Sequence, residues 1–299
     1  MGTVAGEERA ERLVEAITRR VQDVPLLPSV VSRLLEVVGR EDHSINDVVR
    51  LIENDLSLTT RVLKVANCAA FGRGQTITSL SRATLHLGEK MVIGIAIGSC
   101  SPQLFQRPLE GYGSAAGELW DHSLRTALAT REVVRYAHHE VSSDLAFTAG
   151  LLHDVGKALI SEFLEGQTGA LVQSCREGHS GDFLAAEQML LGTDHAEIGY
   201  ALARRWSLPD PLCAALRDHH RPDLALDFRE LVFGVHLGDL AAMLGGSGTG
   251  ADTLAYKVET GYEEYLRLDK DDLDRILLIV QDEFRRTKAS IFSELEAGR

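Results

Sequence analysis

The chain has 299 residues, 44% hydrophobic and 25% charged, proportions of a soluble globular protein with one large core or two modest ones. A formal charge of −13 and a pI near 5.3 exclude a broad basic surface for nucleic acid. Cys68, Cys100, Cys175 and Cys213 are scattered without a CxxC pair, which points to reduced thiols rather than a disulfide framework or zinc knuckle.

Residues 2–20 are polar, charged and helical in pattern, unlike a signal peptide, and the most apolar stretch, residues 91–97, is too short to span a bilayer. A cytoplasmic protein with no membrane segment is expected. The first amphipathic stripe is residues 29–38, with Val30, Val31, Leu34, Leu35 and Val38 at helical spacing. Ser44 precedes a helix over residues 45–54, with Asp47 placed to complete a capping box. Asp55 or Ser57 opens the next helix, which runs to Asn67. After the interruption at residues 72–74, Ser79 or Ser81 starts a helix that ends at Gly88.

Residues 91–97 are rich in β-branched side chains and fit a strand or a buried helix equally well. No alternating runs joined by hairpin turns occur, so the chain reads as all-α. Residues 111–117 and 245–250 are glycine-rich and read as flexible connections. The last helix covers residues 271–296, its apolar stripe placed to cover the bundle or to bind a partner, with covering the bundle the plainer reading. Phe71, Arg73 and residues 91–97 are candidate contact surfaces, with core packing or a loop as the plainer reading of each.

Several polar side chains sit awkwardly on apolar helices. Glu118 and His122 are four apart and share a helix face. His153 and Asp154 lie inside the run Gly-Leu-Leu-His-Asp-Val-Gly-Lys, where a charge beside Leu151, Leu152 and Val155 is costly unless compensated. Lys157 is one turn further on. His195 stands in the first turn of a helix capped by Asp194, with Glu197 three residues later. That end of a helix disfavours imidazolium and suits a neutral ligand. His219 and His220 close the helix begun by Pro209 and Pro211, and Asp239 interrupts an apolar helix over residues 235–244.

Imidazole and carboxylate donors on facing helices can hold metal. Glu118, His122, His153, Asp154, His195, His219, His220 and Asp239 are therefore candidate ligands for two or even three divalent ions, with iron or manganese fitting the donor mix. Such a site would activate water and clamp a phosphate, with Lys157 supplying charge for the phosphate. The remaining histidines, His43, His86, His138, His139, His179 and His236, read as surface or satisfied core residues, although His236 shares a face with Asp239.

The order of these residues resembles the HD superfamily of metal-dependent phosphohydrolases, and the added His195 and His219–His220 resemble its HD-GYP branch. That branch continues with Glu and a Gly-Tyr-Pro motif, whereas Arg221-Pro222 follows here. The N-terminal half is similar to the HDOD domain: Leu27-Pro28-Ser29, residues 49–63, Val65-Ala66-Asn67, residues 77–80 and residues 83–88 carry the likeness. Residues 194–199 and 205–209 extend it, so that it spans roughly residues 20–222.

The resemblance implies an all-α, HD-type helical bundle with an N-terminal helical subdomain. Its parts would be a lead-in over 1–19, a helical half over 20–113, a metal-binding half over 114–245 and an extension over 246–299. It further implies a bacterial signalling or regulatory protein acting through a protein partner or a small phosphorylated or nucleotide ligand. An alternative is a phosphohydrolase acting on a nucleotide or cyclic nucleotide, with Asp154 and Lys157 in catalytic roles. A third reading leaves the ligands as a remnant without metal, satisfied by salt bridges and water.

Overall fold

Sixteen α-helices carry the chain in the computed structural model, which describes residues 2–38, 40, 42–67, 76–100 and 102–292. No strand forms among them; there are two isolated bridges, Leu109 with Ser114 and Ala137 with Leu266. The first half comprises α1 (Gly2–Asp23), α2 (Ser29–Val38), α3 (Ile45–Glu53), α4 (Leu56–Asn67), α5 (Leu80–Leu87), α6 (Glu89–Cys100) and α7 (Pro102–Gln106). At α3 the Asp47 carboxylate accepts from the Ser44 backbone N–H at 3.0 Å, the reach-back half of a capping box. Asp55, not Ser57, opens α4: its Oδ1 accepts from the Leu58 N–H at 3.0 Å. Ser79 precedes α5, which stops at Gly88, where a φ of 81° suits glycine. Residues 91–97 are helix, and all are buried within α6, which explains why their sequence shows no polar face.

The second half comprises α8 (Glu118–Val133), α9 (Ser143–Leu152), α10 (Lys157–Ile160), α11 (Thr168–Arg176), α12 (Phe183–Leu191), α13 (His195–Arg205), α14 (Asp210–Asp218), α15 (Arg229–Leu244) and α16 (Lys270–Phe292). At its centre α8 packs against both α9 and α15. Glycine makes both approaches possible. A Cβ at Gly150 would lie 2.8 Å from the Ala127 Cα, and one at Gly238 would lie 2.8 Å from the Thr130 backbone nitrogen. The two halves meet where α6 crosses α9, again at a small residue, Gly94, against Thr148.

Buried apolar residues from Ile17 in α1 to Phe284 in α16 form one continuous core. The helix α16 covers the outer side of α8, with Arg131 paired to Glu283 and the Arg125 guanidinium 3.8 Å from the Phe284 ring centroid. Residues 293–296 of the expected last helix, and Phe71 and Arg73, lie outside the described residues. Among those described, no helix is long and apolar enough to cross a membrane.

The two glycine-rich connections are not free loops. Tyr112 is fully buried, and its carbonyl accepts from the Ala251 N–H at 2.7 Å, so the first connection is pinned to the chain just beyond the second. Glycine here marks close contact rather than mobility: a Cβ at Gly250 would lie 2.2 Å from the Tyr112 oxygen.

Candidate metal centre

Seven of the eight expected ligands meet in the interior. One group is His122 from α8, His153 from the turn after α9, and Asp239 from α15; the other is Asp154, His195, His219 and His220. Within each group the offered donor atoms lie within 4.8 Å of one another, and none of the seven residues is more than 3% exposed.

Asp154 joins the groups. Its Oδ2 faces His122 Nε2 at 3.3 Å and His153 Nε2 at 3.4 Å, while Oδ1 faces His195 Nε2 at 3.5 Å and His219 Nε2 at 3.7 Å. Gly156 brings the second group this close: a Cβ there would stand 1.9 Å from the His195 carbonyl oxygen. The His195 backbone is fixed in turn by the Asp194 cap, whose side chain accepts from the Glu197 N–H at 2.8 Å.

Backbone carbonyls set the tautomers. His122 Nδ1 donates to the Ser247 oxygen at 2.7 Å, His153 Nδ1 to the Gly150 oxygen at 2.8 Å, and His219 Nδ1 to the Leu216 oxygen at 2.9 Å. A carbonyl can only accept, so each Nδ1 carries a proton, and each Nε2 presents a lone pair inward whenever the ring is neutral. Glu187 does the same for His195, accepting from Nδ1 at 2.7 Å and from the backbone N–H at 2.9 Å. Such outer partners orient and strengthen metal-ligating imidazoles.

Lone pairs therefore face one another. His122 Nε2 lies 3.3 Å from His153 Nε2, and Asp154 Oδ1, Asp239 Oδ1 and His219 Nε2 are buried without a directed hydrogen bond. A cation between them removes the repulsion, and either a proton or a metal ion serves. Burial lowers the pKa of His122, but Asp154 and Asp239 outweigh it and raise it to about 10. Burial would raise the pKa of Asp154, yet His153, Lys157 and His122 hold it well below the usual carboxylate range. In the second group burial lowers two of the three imidazoles, His219 to about 4 and His220 well below an ordinary imidazole, with neighbouring histidines adding to the effect. At His195 burial is outweighed by the Glu187 carboxylate, which raises the pKa. An ionised carboxylate between imidazoles whose Nε2 atoms converge is a donor set that fits a divalent ion on each side. That fit counts against a remnant satisfied by salt bridges alone.

Glu118 is not brought to the centre. It is exposed at the first position of α8, and its carboxylate turns back to accept from the Ser114 hydroxyl at 2.9 Å and the Ala115 N–H at 2.8 Å. An N–H at a helix start is an obligatory donor, and the nearby carboxylate satisfies it. Lys157 is brought in, but its ammonium is already engaged. Nζ lies 2.7 Å from Asp154 Oδ2, 2.6 Å from Asp252 Oδ2 and 2.9 Å from Thr249 Oγ1.

Four supporting residues went unread in the sequence: Glu187, Thr249, Asp252 and Tyr256. Tyr256 stacks on His220 with ring centroids 3.8 Å apart and donates its hydroxyl to Asp252 at 2.6 Å. His236 is a satisfied core histidine, donating Nδ1–H to the His219 carbonyl and accepting from the Glu259 N–H.

The HDOD domain family model matches residues 24–222. A protein of Treponema pallidum (strain Nichols) is 24% identical over 239 residues, covering 78% of this chain and 45% of its own length, so the chain spans about half of that curated relative. Among solved structures, an HDOD domain protein from Geobacter sulfurreducens is 25% identical with a TM-score of 0.63, covering 94% of this chain and 96% of its own. A protein from Shewanella amazonensis SB2B, named a putative metal-dependent phosphohydrolase, is 21% identical with a TM-score of 0.62, covering 95% and 99%. The family match contains α2 to α7 of the first half and six of the seven clustered donors, all but Asp239: this chain belongs to the HDOD domain family.

Proposed function

We propose that this chain is a bacterial regulatory HDOD protein that holds two divalent ions about Asp154 and works through a small phosphorylated or nucleotide ligand. The observation that carries this reading is the convergence of the seven donors, each imidazole with Nε2 aimed inward and Asp154 offering one oxygen to each group. Mixed imidazole and carboxylate donors favour iron or manganese. Near-complete burial of every donor supports a sensing or structural role over rapid turnover.

A second reading, phosphohydrolase activity on a nucleotide or cyclic nucleotide, has support in the carboxylate shared between two donor groups. Paired divalent ions supply Lewis-acid charge that polarises a phosphoryl group. The chain's own residues would hold those ions in register, and Lys157 would supply positive charge once released from Asp252.

Metal analysis of purified protein tests the first reading. About two ions of iron or manganese per chain are expected, falling to none in a His153→Ala/Asp154→Ala variant. No ion in the unaltered protein sinks both readings. Turnover of a generic phosphodiester with added manganese, abolished in the same variant, selects the second.

A further inference from the structure

Every donor is buried, so a ligand reaches the centre only if something covering it moves. The helices around it are locked by apolar packing and by backbone approaches at Gly150, Gly238 and Gly156. Residues 248–259 differ. They form neither helix nor strand and lie beyond the family-matched segment. Ala255 and Tyr256 pack against the core, and the other attachments are polar: Thr249 and Asp252 on Lys157, the Ala251 N–H on the Tyr112 carbonyl, and the Glu259 N–H on His236. Tyr256 adds its ring over His220.

The segment is also conformationally loaded. Gly250 has a φ of 111°, and Leu254, a non-glycine residue that is 53% exposed, sits at a φ of 58°. A γ-branched side chain at positive φ costs free energy that the anchors must offset.

We propose that residues 248–259 form a displaceable strap over the centre, in which Asp252 occupies the place on Lys157 that the anionic, phosphate-class group of an incoming ligand takes. The chemistry of the contact carries this. Lys157 Nζ is nearly inaccessible, and its three donors are spent on Asp154, Asp252 and Thr249, an oxygen cradle of the kind a phosphate presents. Asp154 belongs to the donor cluster and stays. Asp252 and Thr249 belong to the strap and leave together. Ligand entry then exchanges one oxyanion for another on a buried ammonium, so the charge is never left uncompensated. The strap thus shuts the centre until a phosphate-bearing ligand competes for Lys157. This rests on reading the centre as a metal site that meets a phosphorylated ligand.

Hydrogen exchange on the 299-residue chain tests it. The amides of Ala251 and Glu259 are expected to exchange at least about ten-fold faster than those of Leu151 and Leu152 in α9. Thr249→Val combined with Tyr256→Phe keeps the Lys157–Asp252 pair but removes three strap hydrogen bonds. It should raise strap exchange a further several-fold, leaving α9 unchanged. In protein supplied with manganese, millimolar inorganic phosphate should accelerate strap exchange, and chloride at equal ionic strength should not. Strap amides that exchange only together with α9, in both proteins, overturn the strap. A strap that opens but ignores phosphate overturns the role given to Asp252. Failure of the functional reading shows separately, as absence of bound manganese, while the comparison of the two proteins without metal still decides whether the strap opens.

Discussion

Lys157 and Asp252 form an ion pair inside the protein, with Nζ 2.6 Å from Oδ2 and each side chain 1% exposed. A buried pair is expensive to break from one side, because the remaining charge has no water to turn to. Asp252→Ala should therefore destabilise the fold by about 3 kcal/mol, below the upper end for such pairs because Asp154 still faces Lys157. Tyr256→Phe removes one hydrogen bond to the same carboxylate and should cost about 1 kcal/mol. Urea denaturation of the two variants and the parent checks the ratio.

Gly156→Ala should damage the centre without touching a donor. The added Cβ would meet the His195 carbonyl oxygen at 1.9 Å and the Gly199 nitrogen at 2.7 Å, both backbone, so the turn and α13 must separate. A loss of about 1–3 kcal/mol is expected from overpacking. Ion content should fall on the His195, His219 and His220 side first. Thermal unfolding and metal analysis read the two effects independently.

Glu187 should matter to metal affinity although it lies outside the donor cluster. It holds the His195 ring and backbone and accepts from the Tyr112 hydroxyl at 2.7 Å. Glu187→Leu should weaken one of two bound ions by about 10–100-fold, with Glu187→Gln less affected because an acceptor oxygen remains. Competition with a chromogenic chelator measures it.

His43 offers a pH dependence remote from the centre. Its Nε2 pairs with Glu89 at 2.6 Å, tying the approach to α3 to the start of α6. The Glu89 hydrogen bond, then the Arg40 carbonyl, raise its pKa above the ordinary 6.5. A raised folded-state pKa means the stabilisation is complete below pH 6.5 and fades as pH rises through the raised value. For a partly exposed pair it amounts to about 0.5–1 kcal/mol. The stability difference between the parent and His43→Gln should shrink on going from pH 6 to pH 9.

The helices were legible because their stripes and caps are local. Residues 29–38 and Ser44 with Asp47 needed only their own neighbours. The donors were legible for a different reason: a charge among leucines and valines demands compensation, and His153–Asp154 announced one. Glu118 misled because a spacing of four states that two residues share a face, not that the helix begins at the first of them. Its carboxylate went to the helix start instead. Glu187 carried the same signal as Asp154, a carboxylate within Phe-Leu-Ala-Ala-Glu-Gln-Met-Leu-Leu, and that signal went unread. Asp252 and Thr249 gave none, because a glycine-rich stretch has no period and their partner is over 90 residues away.

The glycine contacts between α8, α9 and α15 leave the backbones almost touching. Surfaces that close cannot slide, since any shift in register drives a threonine into a main chain. The core of this protein is therefore a poor lever: it has no tilt or rotation with which to transmit an event at the centre. If residues 248–259 act as the proposed strap, what changes is the order of that short segment, so a message from the centre would leave as a local melting or freezing. A partner reading that message would recognise a surface patch, not a new angle between helices.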